Sequence, residues 1–219
     1  MMKHILTSVG LSALVAIAAP ARGQAQSVRL AVAPDSKLWV EGSSNLHDWS
    51  CKASSIDAAI DVDAELLRTA TASPALLHSV EVKVPVHNLQ CGNGKMDQNL
   101  YKALKADAAP QIGYILARFD VLPGEPKDSF RLATVGALTV AGTERPVKMD
   151  VVARRLPDGS MRADGEVPLL MTDYGVNPPT ALLGTLRTSN KVTVKFSLLV
   201  RAATMTAVMT ALPAAAQPR

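Results

Sequence analysis

Apolar residues recur at every second position through most of the chain, the spacing that gathers them on one face of an extended strand. In 79–88, Val80, Val82, Val84 and Val86 alternate with Glu81, Lys83 and Pro85. In 191–201, Val192, Val194, Phe196, Leu198 and Val200 alternate with Thr193, Lys195, Ser197, Leu199 and Arg201. Val147, Met149 and Val151 oppose Lys148 and Asp150 in 146–153, and weaker versions occupy 28–33, 37–43, 51–63, 111–122, 129–141 and 161–171. The pattern predicts about eight or nine strands.

The links between these strands are short. Ala141-Gly142-Thr143 and Pro157-Asp158-Gly159 separate successive strand patterns as hairpin turns do, so neighbours are expected to run antiparallel. One helix is expected over 95–107, where Met96, Leu100 and Leu104 recur every four residues ahead of Ala109-Pro110, and a shorter one near 65–71. Antiparallel strands with one apolar and one polar face build a sandwich or a closed up-and-down barrel. A barrel of about eight strands has an interior that side chains fill or that holds one small ligand. With only 2 Trp, 3 Tyr and 3 Phe, that interior must be lined mainly by Val, Leu, Ile, Met and Ala.

The first residues belong to a different pattern. Lys3 and His4 precede an apolar run over 5–19, followed by small residues, and this reads as a signal peptide over 1–25, cleaved after Ala25 or Gly23. The run is short for a membrane span, which needs about 20 apolar residues. A barrel domain over 26–202 and a mobile or helical tail over 203–219 complete the expected organisation, in the periplasm or secreted. The chain carries 23 Lys and Arg against 19 Asp and Glu, a net charge of +4; Lys3 and Arg22 leave with the signal peptide and no acid does, so the excess falls to +2. The adjacent basic pair Arg154-Arg155 ends a strand and reads as a solvated edge, so no nucleic-acid partner is expected.

Four ordered segments resemble the YceI-like polyisoprenoid-binding family: 94–104 running on to Ala109-Pro110-Gln111-Ile112; the hairpin 135–147, with Gly136-Ala137-Leu138-Thr139-Val140-Ala141-Gly142 and Arg145-Pro146-Val147; 168–179, with Asp173-Tyr174-Gly175; and the last strand, 192–200. The resemblance implies an all-β fold, an antiparallel up-and-down lipocalin-like barrel of about eight strands with one or two short helices. It also implies an exported protein that holds an isoprenoid lipid in an apolar interior without catalysis. The segment 43–51 departs from the better-known branch, and the pair Cys51 and Cys91 looks like a feature of a sub-branch.

Two cysteines in an exported chain most simply form a disulfide. The alternative is a zinc site, because His47 stands four residues before Cys51 and His87 four before Cys91. Trp39 and Trp49 read as core plugs rather than ligand platforms, and Tyr174 as a residue at a barrel-rim turn that either packs or meets a ligand head group. The helix face Met96, Leu100 and Leu104 packs over one barrel end or forms a lid over its mouth. No Gly-x-Ser-x-Gly, phosphate-binding glycine loop or His-Glu-x-x-His occurs, so no enzyme, catalytic residue or cofactor is expected. The expected function is binding, carriage or storage of an isoprenoid lipid of the quinone or polyprenyl phosphate type, with transient contact with the membrane or envelope proteins. An interaction module with a filled core is the alternative. The expected lipid contacts are Val82, Val84, Leu116, Met149, Val151, Leu169, Met171, Tyr174, Val194, Phe196 and Leu198.

Overall fold

The computed structural model describes residues 27–69, 73, 75–122, 128–181 and 185–203. The expected signal peptide, and the tail beyond residue 203, lie outside them. The strands are β1 (Ser27–Val32), β2 (Lys37–Ser44), β3 (Asp48–Ala53), β4 (Asp57–Asp63), β5 (Leu77–Pro85), β6 (Leu89–Gln90), β7 (Gln111–Leu122), β8 (Ser129–Val140), β9 (Thr143–Arg155), β10 (Met161–Leu170), β11 (Thr180–Ala181) and β12 (Leu186–Ala202). Two helices, α1 (Ala64–Thr69) and α2 (Gly94–Ala103), accompany them.

All pairings are antiparallel, and the wall has eight positions because three of them are strands broken in two. β1 and β2 both pair with β12, at Leu30↔Ala202 and Val40↔Val194. β4 and β3 pair with them in turn, at Leu30↔Ile60 and Val40↔Cys51, and β5 and β6 continue the ladder at Ile60↔Val80 and Ala53↔Leu89. The breaks fall at 33–36, at 54–56 and at the 3-10 turn Val86–Asn88. The last two bends are stitched together: the Asn88 carbonyl accepts from the Ser54 backbone N–H (2.8 Å) and hydroxyl (3.1 Å), while Asn88 Nδ2 donates to Ser55 Oγ (2.6 Å). β7, β8, β9, β10 and β12 follow in sequence order, and β12 closes on β1. The fold is a closed antiparallel up-and-down barrel, one of the two architectures that the alternation and short turns leave open and the one that the resemblance implies.

Local chemistry sets the corners. Ala141 (φ 50°) and Gly142 (φ 79°) form the two-residue link between β8 and β9, both left-handed as a type I′ hairpin requires. Asp158 Oδ1 accepts from the Ser160 backbone N–H (3.0 Å) in the β9–β10 turn. Asp63 Oδ1 accepts from the Glu65 N–H (2.8 Å) and so caps α1, which starts where the sequence places it.

Three sequence expectations change. The strand expected over 51–63 is two, β3 and β4. The helix expected over 95–107 ends at Ala103, because Lys105 turns left-handed (φ 54°) and the Ala106 N–H folds back onto the Tyr101 carbonyl (2.9 Å). Trp39 is no core plug: Leu38 and Val40 line the interior, so Trp39 projects from the outer wall, where its Nε1 donates to Glu41 Oε1 (2.8 Å).

Apolar clusters fill the two ends of the barrel. At one, Leu66 of α1 packs among Leu30, Ile60, Val62, Phe130, Leu132 and Val200. At the other, Leu104 and Ala106, just past α2, pack with Val86, Leu89, Val147, Tyr174 and Val176.

Candidate functional site: an apolar cavity inside the barrel

Inward-facing side chains along a single strand show that the barrel is hollow between its ends. On β9, Val147 and Ala153 are buried while Met149 and Val151 between them are half-buried. On β12, Val192, Leu198 and Val200 are buried while Val194 and Phe196 are half-buried. These middle residues point inward, so the surface they expose faces an internal space. That space is a cavity of about 510 Å³.

Three aromatic rings lie against the wall. A Cβ on Gly42 would meet the Trp49 indole at 2.2 Å, one on Gly136 the Tyr114 ring at 2.4 Å, and one on Gly165 the Phe196 ring at 2.5 Å. Each glycine faces inward and leaves room for a ring on the neighbouring strand. Bulky groups thereby border the cavity without filling it.

Among the described residues the wall is mostly apolar, and none of the 49 that line it is Asp, Glu, Lys or Arg. The deepest polar pair is Tyr114 and Thr134. The Thr134 hydroxyl donates to the Met149 carbonyl (2.8 Å). Burial pushes the Tyr114 hydroxyl pKa up. It does the same to Tyr174, where Asp173 adds to the rise and Arg145 opposes it. The Trp49 Nε1 is buried and has no hydrogen-bond partner among the described residues.

Four lining residues are exposed, and they locate the mouth: His47 in the β2–β3 hairpin, Asn99 on α2, Leu170 at the end of β10 and Thr180 on β11. Pairings hold these segments side by side, with Ser44 opposite Thr188, Leu170 opposite Lys191 and Thr180 opposite Arg187. Leu46 at the hairpin tip is 71% exposed and Leu170 44%, so the rim is itself partly apolar. His47 Nδ1 bonds to the Asp48 carbonyl (2.8 Å).

Cys51 of β3 and Cys91 ahead of α2 form a disulfide, and both line the cavity. The bond removes both thiolates on which the zinc alternative with His47 and His87 depended. α2 itself buries no residue. It is held by the disulfide, by Asp97 Oδ1 accepting from the Cys91 N–H (2.6 Å), and by the Tyr101 hydroxyl, which lies 3.0 Å from the His87 carbonyl and 2.9 Å from that of Leu89. Its Met96 and Leu100 face the cavity.

All eleven residues singled out in the sequence border this cavity. Val82, Leu116, Met149, Val151, Val194 and Phe196 lie around its half-buried middle, Leu198 belongs to the α1-end cluster, and Val84 and Tyr174 belong to the α2-end cluster, with Leu169 and Met171 packed against it. Tyr174 is 3% exposed, so it is a packed residue and not one with a wet hydroxyl at the rim. Trp49, read as a core plug, is a wall residue of the cavity. Sequence reasoning missed Tyr114 and Thr134, although Tyr114 is in phase with Ile112 and Leu116. The outer wall carries cross-strand ion pairs, including Arg154–Asp164 (2.8 Å), Arg131–Asp150 (2.8 Å) and Lys195–Glu41 (2.8 Å).

Fold and site together define a closed antiparallel barrel with an apolar internal cavity and a partly apolar mouth. A family model for the YceI-like domain matches residues 24–200, and the chain belongs to that family. No curated protein sequence matches it. Among solved structures it is similar to a polyisoprenoid binding domain from Saccharophagus degradans implicated in plant cell wall breakdown (TM-score 0.61, 12% identity, covering 80% of this chain and 99% of that one). It is also similar to Burkholderia cenocepacia BcnA (0.58, 15%, 75% and 95%) and to the Campylobacter jejuni YCEI protein (0.53, 14%, 70% and 85%). Among the described residues no helix is long and apolar enough to cross a membrane, and the disulfide is the mark of an oxidising compartment outside the cytoplasm.

Proposed function

We propose that this protein binds an isoprenoid lipid inside its barrel and carries or stores it in the periplasm or outside the cell, without covalent chemistry. The observation that carries this reading is the hollow middle level of the barrel, a 510 Å³ space with no charged side chain among the described residues of its wall. Membership of the YceI-like family and the likeness to a polyisoprenoid binding domain support it. The driving force is burial of apolar chain: at about 25 cal/mol per Å², covering roughly 300 Å² gains about 7 kcal/mol before the costs of ordering the chain.

A native mass spectrum of the exported protein, recorded without detergent and repeated after denaturation, tests the reading. The expected result is extra mass that disappears on denaturation and extracts into organic solvent. A bare polypeptide mass in both spectra, with no uptake of added isoprenoid, would favour an interaction module instead. Val194→Glu places a carboxylate at the hollow level, and the folded variant is expected to lose the extra mass; full retention would overturn the assignment of that wall.

A further inference from the structure

We propose, resting on the lipid-binding reading above, that the mouth end of the barrel is a docking surface for an anionic lipid bilayer. The tip of the β2–β3 hairpin and the end of β10 insert leucine side chains, and lysines of α2 and β12 meet the anionic head groups.

Leu46 is 71% exposed, more than any other exposed large apolar side chain among the described residues, and its backbone is firmly fixed. Ser44 Oγ accepts from the Leu46 N–H (3.2 Å) and the His47 N–H (3.1 Å) and donates to the His47 carbonyl (2.8 Å). Asn45 ties the tip to the start of β12: its Nδ2 donates to the Thr185 carbonyl (2.8 Å) and its Oδ1 accepts from the Arg187 N–H (2.9 Å). A leucine held out from a rigid tip, with nothing in the fold to cover it, is stabilised only by burial in an apolar phase outside the protein. Leu170, on the other side of the rim, is presented in the same way. It stands opposite Lys191, and the turn after it is pinned by the Thr172 N–H donating to Asn190 Oδ1 (3.1 Å) and Asn190 Nδ2 donating to Thr172 Oγ1 (2.9 Å).

The charges beside these leucines fit an anionic head-group layer. Lys95, Asn99 and Lys102 stand at i, i+4 and i+7 on α2 and so share one face, and Asn99 on that face is exposed at the mouth. Lys95, Lys102 and Lys191 make no ion pair among the described residues, whereas Arg131, Arg154 and Lys195 on the barrel wall are all paired. The acids of the segments around the mouth are Asp48, Asp97 and Asp173. Asp97 lies two residues from both Lys95 and Asn99, on another face of α2, with Oδ1 on the Cys91 N–H. Lysine stems reach past an apolar rim to phosphate oxygens while the leucines enter the acyl boundary. A lipid leaving the cavity crosses this rim, so docking by the mouth keeps its chain out of water during transfer.

The test floats the exported protein with vesicles of phosphatidylcholine containing one quarter phosphatidylglycerol, and a native mass spectrum of the same preparation reads bound lipid. The protein is expected to float with the vesicles; Leu46→Asn is expected to weaken binding at least about fivefold and Leu170→Asn about twofold. Raised salt is expected to weaken it as well, by screening the lysines. Ile115 is exposed on the outer face of β7, between the wall residues Tyr114 and Leu116, and Ile115→Asn is expected to leave binding unchanged. Equal weakening by Ile115→Asn would lay the barrel on its side and overturn docking by the mouth. A protein that carries its lipid mass but does not float would overturn the docking surface and leave lipid binding intact. Flotation that Leu46→Asn weakens, in a protein that takes up no isoprenoid, would overturn the lipid-binding reading and leave the surface in place. A concentration-dependent dimer that Leu46→Asn dissolves would assign the surface to a second copy of the chain and overturn the proposal.

Discussion

The two ends of the barrel are closed by different means. At the first, α1 is only six residues long, but its Leu66 is buried among side chains from β1, β4, β8 and β12, so continuous apolar packing closes that end. At the second, α2 is ten residues long and buries none of them. Its Leu100, Tyr101 and Ala103 pack, only partly buried, against the apolar cluster of that end, and a disulfide, the Asp97 bond to the Cys91 N–H and the Tyr101 hydroxyl beside two carbonyls tie it down. A packed end gives way only when its whole cluster is disturbed, whereas a tethered one leaves the face between its tethers free to move. The mouth lies at the tethered end.

Removing the tether is the strongest way to break this contrast. Cys51 and Cys91 are 40 residues apart, and a loop of that length makes the disulfide worth about 4 kcal/mol in the chain-entropy model. Cys51→Ser with Cys91→Ser is expected to lower the urea midpoint accordingly. It should also accelerate ligand exchange, since α2 then loses its covalent tether to β3. Loss of stability with unchanged exchange would mean that α2 is not the gate. Next in size, Leu66→Ala at the packed end is expected to cost about 3 kcal/mol, within the range for a buried leucine, and to leave exchange kinetics as they were. Faster exchange in that variant would show that the barrel also opens at α1.

This difference between the ends was only half legible in the sequence. The alternation of Val192, Val194, Phe196, Leu198 and Val200 identifies an inward face because a strand has a period of two, and the short links fix antiparallel order. The break at 54–56 moves the inward face from odd positions, Trp49 and Cys51, to even ones, Ile60 and Val62, and the small and polar residues Ala53, Ser54 and Ser55 between them hide that change of phase. The four-residue spacing of Met96, Leu100 and Leu104 runs smoothly past the helix end because Leu104 stays buried outside it, and the stop comes from a left-handed Lys105 that no sequence rule marks. Trp39 was legible, being out of phase with Leu38 and Val40. The hollow level was not. It depends on glycines at 42, 136 and 165 leaving room for the rings of Trp49, Tyr114 and Phe196 on neighbouring strands, and these partnerships join strands whose register the sequence leaves open.

The smallest expected effect on stability sharpens the contrast most. Met96 sits on α2, half-buried and facing the cavity, so trimming it removes contact with the ligand space rather than with a packed core. Met96→Ala is expected to shift the unfolding free energy by no more than about 0.5 kcal/mol, as for a side chain outside the core. Its dissociation rate for the bound lipid should nevertheless rise severalfold, because a narrower side chain widens the gap between α2 and the hairpin carrying His47. Stopped-flow transfer of lipid to acceptor vesicles measures that rate, and chemical denaturation of the same preparation measures the stability. A destabilisation as large as that of Leu66→Ala would place Met96 in a packed core and make the two ends alike. An unchanged rate would move the exit path away from α2, to the side of the mouth formed by Leu170 and Thr180.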